Sequence, residues 1–181
     1  MNNDLVLTVI SDDRPGIVET LAQTISSHGG NWLESRMSRL AGKFAGILNV
    51  RVAAEQRDEL RQALEALCDK GIRVVVEEAI PDTISDEQRA LILNVVGNDR
   101  PGIVREIAQA LSSQHINVDE LHTDCTSMPW SGEPLFEAHG LVVVPAEVDI
   151  DQLQDQLNVI GEELAVEIDI DLPEEEDADS D

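Results

Sequence analysis

The six residues Asp13-Arg14-Pro15-Gly16-Ile17-Val18 recur unchanged as Asp99-Arg100-Pro101-Gly102-Ile103-Val104. Each copy follows a short apolar run and precedes apolar residues at helical spacing, so each marks a strand-to-helix junction. A helix amino terminus leaves backbone N–H groups unpaired and carries partial positive charge. A glycine there lets a ligand come close to the backbone. The amides of Gly16, Ile17 and Val18, and of Gly102, Ile103 and Val104, therefore suit a carboxylate. Asp13 and Asp99 suit an ammonium group. One junction would hold both ends of an α-amino acid. The same residues also fit a purely local role, because Asp caps helices and Pro-Gly makes turns; the spacing alone leaves both readings open. Asn31 and Asn117 follow the first helix of each copy, on a strand expected to lie beside the first one. There an Asn side chain offers a donor and an acceptor to the same cleft, or simply ends the helix in a left-handed conformation.

Other chemistries find less support. His122, Cys125 and His139 invite a metal, but on one strand His122 and Cys125 differ by an odd number and point to opposite faces; no metal site is expected. Cys125 has no evident base on its own face. Cys68, beside Leu67 near a helix end, reads as packing. Arg14 and Arg100 either reach a ligand carboxylate or pair with an acidic neighbour, and the acidic excess favours pairing. Asp12-Asp13 are turn neighbours that would not converge on one bond. No nucleophile–base pair and no phosphate loop with its lysine is present, so neither an enzyme nor a cofactor is expected.

The elements that must position the junctions follow a repeated plan. Leu5–Ile10 reads as a strand buried on both faces or nearly so, Pro15 opens a helix as its first residue, and Gly29-Gly30 stops it. A strand at 31–40, a turn at Ala41-Gly42-Lys43, an alternating strand at Phe44–Val52, a helix at Glu55–Lys70 and a strand at Ile72–Val76 complete the unit. The order β-α-β-β-α-β predicts an α+β, ferredoxin-like fold: a four-stranded antiparallel sheet with both helices on one face. After a polar linker at 80–89 the pattern restarts, with strands at 90–96, 116–126, 135–144 and 164–170 and helices at 101–114 and 149–161. Leu5–Asn31 and Leu91–Asn117 align without a gap at 14 of 27 identities. The expected organisation is thus two domains, 1–79 and 90–172, and an acidic, disordered tail at 173–181. Phe44 corresponds to Phe136, which leaves six extra residues in the second copy, within 127–134. Met128 and Trp130 in that insertion are candidates for a lid or a partner contact.

Composition bounds the partners. There are 37 acidic residues against 12 basic ones, a net charge of −25, and Lys43 and Lys70 are the only lysines. Such a field repels phosphate backbones and anionic lipid, so neither direct nucleic-acid nor membrane binding is expected. A zwitterion, being neutral overall, escapes this repulsion. The chain has no apolar run near the length that spans a bilayer and no signal-peptide pattern at its start, and its two cysteines read as free thiols; a cytoplasmic protein is expected.

The doubled Asp-Arg-Pro-Gly-Ile-Val, each copy followed by an amphipathic helix and then Gly-Asn or Ile-Asn, resembles the ACT domain, a ferredoxin-like regulatory module that binds amino acids. By that resemblance the ligand sits where two modules meet, beside Gly16 with Asn31 and Gly102 with Asn117, and Asp13 and Asp99 match a ligand-facing position. Two such modules over residues 4–172, with Met-Pro-Trp-Ser-Gly-Glu-Pro-Leu-Phe at 128–136, resemble one branch, the glycine cleavage system transcriptional repressor family. Trp130 stands where that branch carries Met. The resemblance implies a non-enzymatic sensor of glycine or another small amino acid. It would act on transcription indirectly, through a protein partner such as a transcriptional activator, and could form a homodimer. A detached regulatory subunit of a biosynthetic enzyme and an interaction module with decayed sites are the alternatives.

Overall fold

The computed structural model describes residues 2–80, 88–128 and 131–173. The chain divides into two compact units, residues 1–82 and 83–181. The first contains β1 (Asn2–Asp12), α1 (Ile17–Ser27), β2 (Asn31–Leu40), β3 (Lys43–Ala53), α2 (Arg57–Glu65), a 3-10 turn of helix at Ala66–Lys70, and β4 (Ile72–Glu78). The second repeats it with β5 (Gln88–Asn98), α3 (Ile103–Ser113), β6 (Asn117–Ser127), β7 (Pro134–Pro145), α4 (Ile150–Leu164) and β8 (Val166–Asp171). The sheets run β2-β3-β1-β4 and β6-β7-β5-β8, with every neighbouring pair antiparallel.

Each unit has its own core on one face of its sheet. Leu5, Leu7 and Val9 of β1 meet Ile17, Leu21 and Ile25 of α1 and Leu60 and Leu64 of α2. In the second unit Leu91, Leu93 and Val95 meet Ile103, Ile107, Leu111, Leu153 and Leu157. Burial along β1 alternates, with Thr8 exposed and Val6 and Ile10 half-buried. This corrects the expectation of a strand buried on both faces: helices cover one face only, and the other side chains look outward. Cys68 is likewise exposed rather than packed, while its neighbour Leu67 is buried.

Two more expectations fail at the junctions. Pro15 does not begin a helix. Gly16 is the residue that caps α1, at φ 90° and ψ 2°, and Gly102 caps α3 at φ 90° and ψ 0°. These angles belong to the third residue of a type II turn, with proline in second place. The Ile103 N–H donates to the Arg100 carbonyl across that turn at 3.4 Å. Nor does β2 lie beside β1, because β3 is inserted between them.

The second unit carries more backbone strain than the first. His115 (φ 59°) and Ala165 (φ 54°) hold left-handed conformations where the first unit places Gly29 (φ 70°) and Gly71 (φ 75°). A side chain there costs roughly 1–2 kcal/mol, against about 0.4–1 kcal/mol for the looser unfolded chain that glycine brings. His115→Gly and Ala165→Gly are each expected to raise the stability of the protein by about 0.5–1 kcal/mol, read from urea unfolding.

Candidate functional site

Asp13 and Asp99 continue the central strands rather than cap the helices. The Asp13 N–H donates to the Gly42 carbonyl at 3.0 Å, and the Asp99 N–H to the Pro134 carbonyl at 3.0 Å. Neither α1 nor α3 receives a hydrogen bond from a capping side chain. The first helical bonds run from Thr20 N–H to the Gly16 carbonyl and from Glu106 N–H to the Gly102 carbonyl. The amides before them have no acceptor within the helix. Gly16 and Gly102 are exposed, whereas Ile17 and Ile103 turn their side chains into the cores and offer only backbone.

The turns are tied down by their arginines. Arg14 donates to the carbonyl of Lys70, and Arg100 to that of Leu164 at 3.2 Å, so each turn is fastened to the end of the unit's second helical segment. Arg100 also pairs with Glu106 at 2.5 Å. The Glu106 carboxyl is held below its usual range, first by that hydrogen bond, so this pairing acts at neutral pH and is lost as pH falls through the depressed value. The pairing expected of the arginines thus holds for Arg100, while Arg14 is held by a main-chain carbonyl.

The two turns differ in three side chains that the motif does not include, the third being Thr20 at the first and Glu106 at the second. At the first, Asp13 is paired with Arg39 of β2 at 3.1 Å, and the Glu19 carboxylate lies 4.0 Å from where a Cβ on Gly16 would stand. At the second, the residue matching Arg39 is Cys125, and among the described residues no cation pairs with Asp99. The residue matching Glu19 is Arg105, whose guanidinium lies 3.7 Å from where a Cβ on Gly102 would stand; the Glu106 carboxylate is at 3.8 Å. All three differences are visible by subtracting 86 from the residue number. Their meaning is not, because only the fold places Arg39 and Cys125 beside the turn.

Desolvation pushes the Cys125 thiol up, and the charge and hydrogen bond of Asp99 add to it. The thiolate is the form that reacts. Asp99→Asn, on a Cys68→Ser background, is expected to speed alkylation of Cys125 at pH 8 severalfold, and an unchanged rate would separate the two groups.

Asn31 and Asn117 are not brought to their own turns. Asn31 pairs with Arg51, level with Asp4 at the start of β1, whereas Asp13 stands at the far end beside Gly42. β1 and β2 run parallel, and α1 returns the chain to the end from which it came. Asn117 is related to Asp99 in the same way, opposite Val143 and level with Ala90. Asn31 instead lines an open groove of about 590 Å³ between α1 and β2, with Glu19, Ala22 and Trp32. Met128 is half-buried at the foot of the inserted loop, its N–H donating to the Glu133 carbonyl at 2.9 Å. Trp130 and the acidic tail from residue 174 lie outside the described residues, as do positions 81–87 of the linker.

Residues 3–77 match the model of the ACT domain family. The first module is an ACT domain. The second is its repeat, with the same strand order, the same turn and the same φ at its glycine. Over 168 residues the chain is 23% identical to the glycine cleavage system transcriptional repressor of Escherichia coli, covering 88% of this chain and 85% of that one. It is 26% identical over 145 residues to the bifunctional uridylyltransferase/uridylyl-removing enzyme of Gluconobacter oxydans, covering 64% of this chain but only 15% of the enzyme's length. A protein of unknown function from Galdieria sulphuraria has the same architecture, with a TM-score of 0.84 and 29% identity, covering 94% of this chain and 98% of that one. The tandem ACT chain is thus a regulatory-domain protein related to the glycine cleavage repressor. Among its described residues no helix is long and apolar enough to cross a membrane.

Proposed function

We propose that this tandem ACT protein is a non-enzymatic, cytoplasmic sensor of a small amino acid, glycine first among the candidates. The second module is its receptor. The observation that carries this reading is the chemistry around Gly102. A ligand carboxylate would meet the amides of α3 after Ile103, whose own N–H is taken by the Arg100 carbonyl, and the Arg105 guanidinium, which also pairs with Glu106 at 3.5 Å, while Glu106 is itself held by Arg100; its ammonium would meet Asp99, which no described cation neutralises. At Gly16 the same ligand would meet Glu19 and an aspartate already paired with Arg39. Ile103 has its side chain in the core and its N–H on the Arg100 carbonyl, and Asn31 and Asn117 stand outside the receptor of their own module. Met128, on the loop that rises from beside Asp99, is a contact for the ligand or for a protein partner.

Control of transcription, which the name of the Escherichia coli relative favours, would pass through that partner, a route that the net charge of −25 supports over direct contact with nucleic acid. The effector shifts the partner's affinity only if it binds one state of the receptor better than the other. Titration calorimetry of the full chain with glycine, serine and alanine tests the reading. One equivalent is expected to bind, and Asp99→Asn should abolish the heat while Asp13→Asn leaves it. A folded sample that binds no amino acid ends the proposal. The match to part of a uridylyltransferase favours a second reading, a detached regulatory subunit, which co-purification with a catalytic chain would reveal.

A further inference from the structure

The outer face of the second sheet carries a row of polar residues that no part of the sensor reading uses. Across β8, β5, β7 and β6 the register places Asp169, Asn94, His139 and His122 side by side. We propose that His122 and His139 together bind a borderline divalent transition-metal ion, with Zn²⁺ as the type case.

Direct cross-strand partners hold their Cβ atoms about 4.5–5.5 Å apart on one face of the sheet. Two imidazoles so placed can bring one nitrogen each to a single ion at the usual Zn–N distance of about 2.0–2.1 Å. Both rings are exposed. His139 is already oriented: its Nδ1 lies 2.8 Å from Oδ1 of Asn94. With that carboxamide oxygen as acceptor, Nδ1 would carry the proton and Nε2 would keep its lone pair for a metal. Holding the other ring nitrogen in this way is the usual support of a metal-bound histidine. Asp124 and Glu137 form the next row on the same face, and Asp169 closes the row beyond Asn94. Their charge draws a divalent cation to the pair. Among the described residues no three His, Cys, Asp or Glu side chains converge, so water completes the shell. Cys125 takes no part, because it stands opposite Phe136 on the core side of the sheet. The corresponding row of the first sheet is Val75, Thr8, Ile47 and Arg36, which has no ligand for such an ion.

Zn²⁺ titration of the full chain, followed by calorimetry, tests the site. His122→Ala and His139→Ala are each expected to weaken the tightest binding event at least about 10-fold, and Asn94→Ala to weaken it about 10-fold with both histidines present. In the unaltered protein, nuclear magnetic resonance should show the ring nitrogens of both histidines shifting together on Zn²⁺ addition, a readout that stands if a variant fails to fold. Binding equally tight in the double histidine variant would assign the ion to the surface carboxylates and overturn the proposal. So would a folded protein that binds no Zn²⁺, or a titration that leaves either ring unmoved.

Discussion

Arg105→Glu is expected to weaken glycine binding by about 10–100-fold, because a charge-assisted contact is worth roughly 1.5–3 kcal/mol. The substitution gives the second turn the side chain that the first already has at that position, Glu19. It leaves the glycine, its left-handed φ and the amides of α3 after Ile103 in place. What changes is the sign of the charge beside the ligand carboxylate. The reverse exchange makes the argument symmetrical. Glu19→Arg with Arg39→Cys frees Asp13 and supplies a cation beside Gly16, so a second equivalent of glycine should then bind. Calorimetry on both variants reads the outcome. If the unaltered protein binds glycine and Arg105→Glu binds it within twofold as well, the Gly102 turn is not the receptor.

Leu93→Ala is expected to destabilise the protein by about 2–5 kcal/mol in urea unfolding. Leu93 has no exposed surface and lies on β5, between β7 and β8, where it belongs to the core that α3 and α4 cover. Apart from Phe136 that core is made of aliphatic chains, and a truncated leucine leaves a void its branched neighbours cannot close. Against a total stability of about 5–15 kcal/mol such a loss is large. Leu40→Ala, at a residue 79% exposed, is expected to change stability by less than about 0.5 kcal/mol. Equal effects at the two positions would mean that Leu93 is not packed as described.

The fold was legible in the chain because its signals are local. Period-two and helical spacings of apolar residues, and the glycines and prolines between them, mark every strand and helix within a few residues. The misreadings share one cause. Pro15 has the right residue type for a first helical position, yet the left-handed Gly16 after it makes the pair a turn. The apolar run Leu5–Ile10 looks buried throughout, yet its outward half faces no second layer. Asn31 is close to Gly16 in sequence distance through α1, yet that helix carries it to the other end of the sheet.

By itself the sequence determined that one strand–turn–helix unit is used twice, that its glycines stand at helix amino termini, and that the molecule carries a net charge of −25. These follow from neighbours along the chain and from summed charge. Which side chains surround each turn was decided only by the tertiary structure. Arg39 and Cys125 reach the aspartates through a strand pairing that closes far along the chain, and His122 meets His139 through another. Coulomb and hydrogen-bond energies depend on distance in space, which the order of residues does not contain until the sheets form.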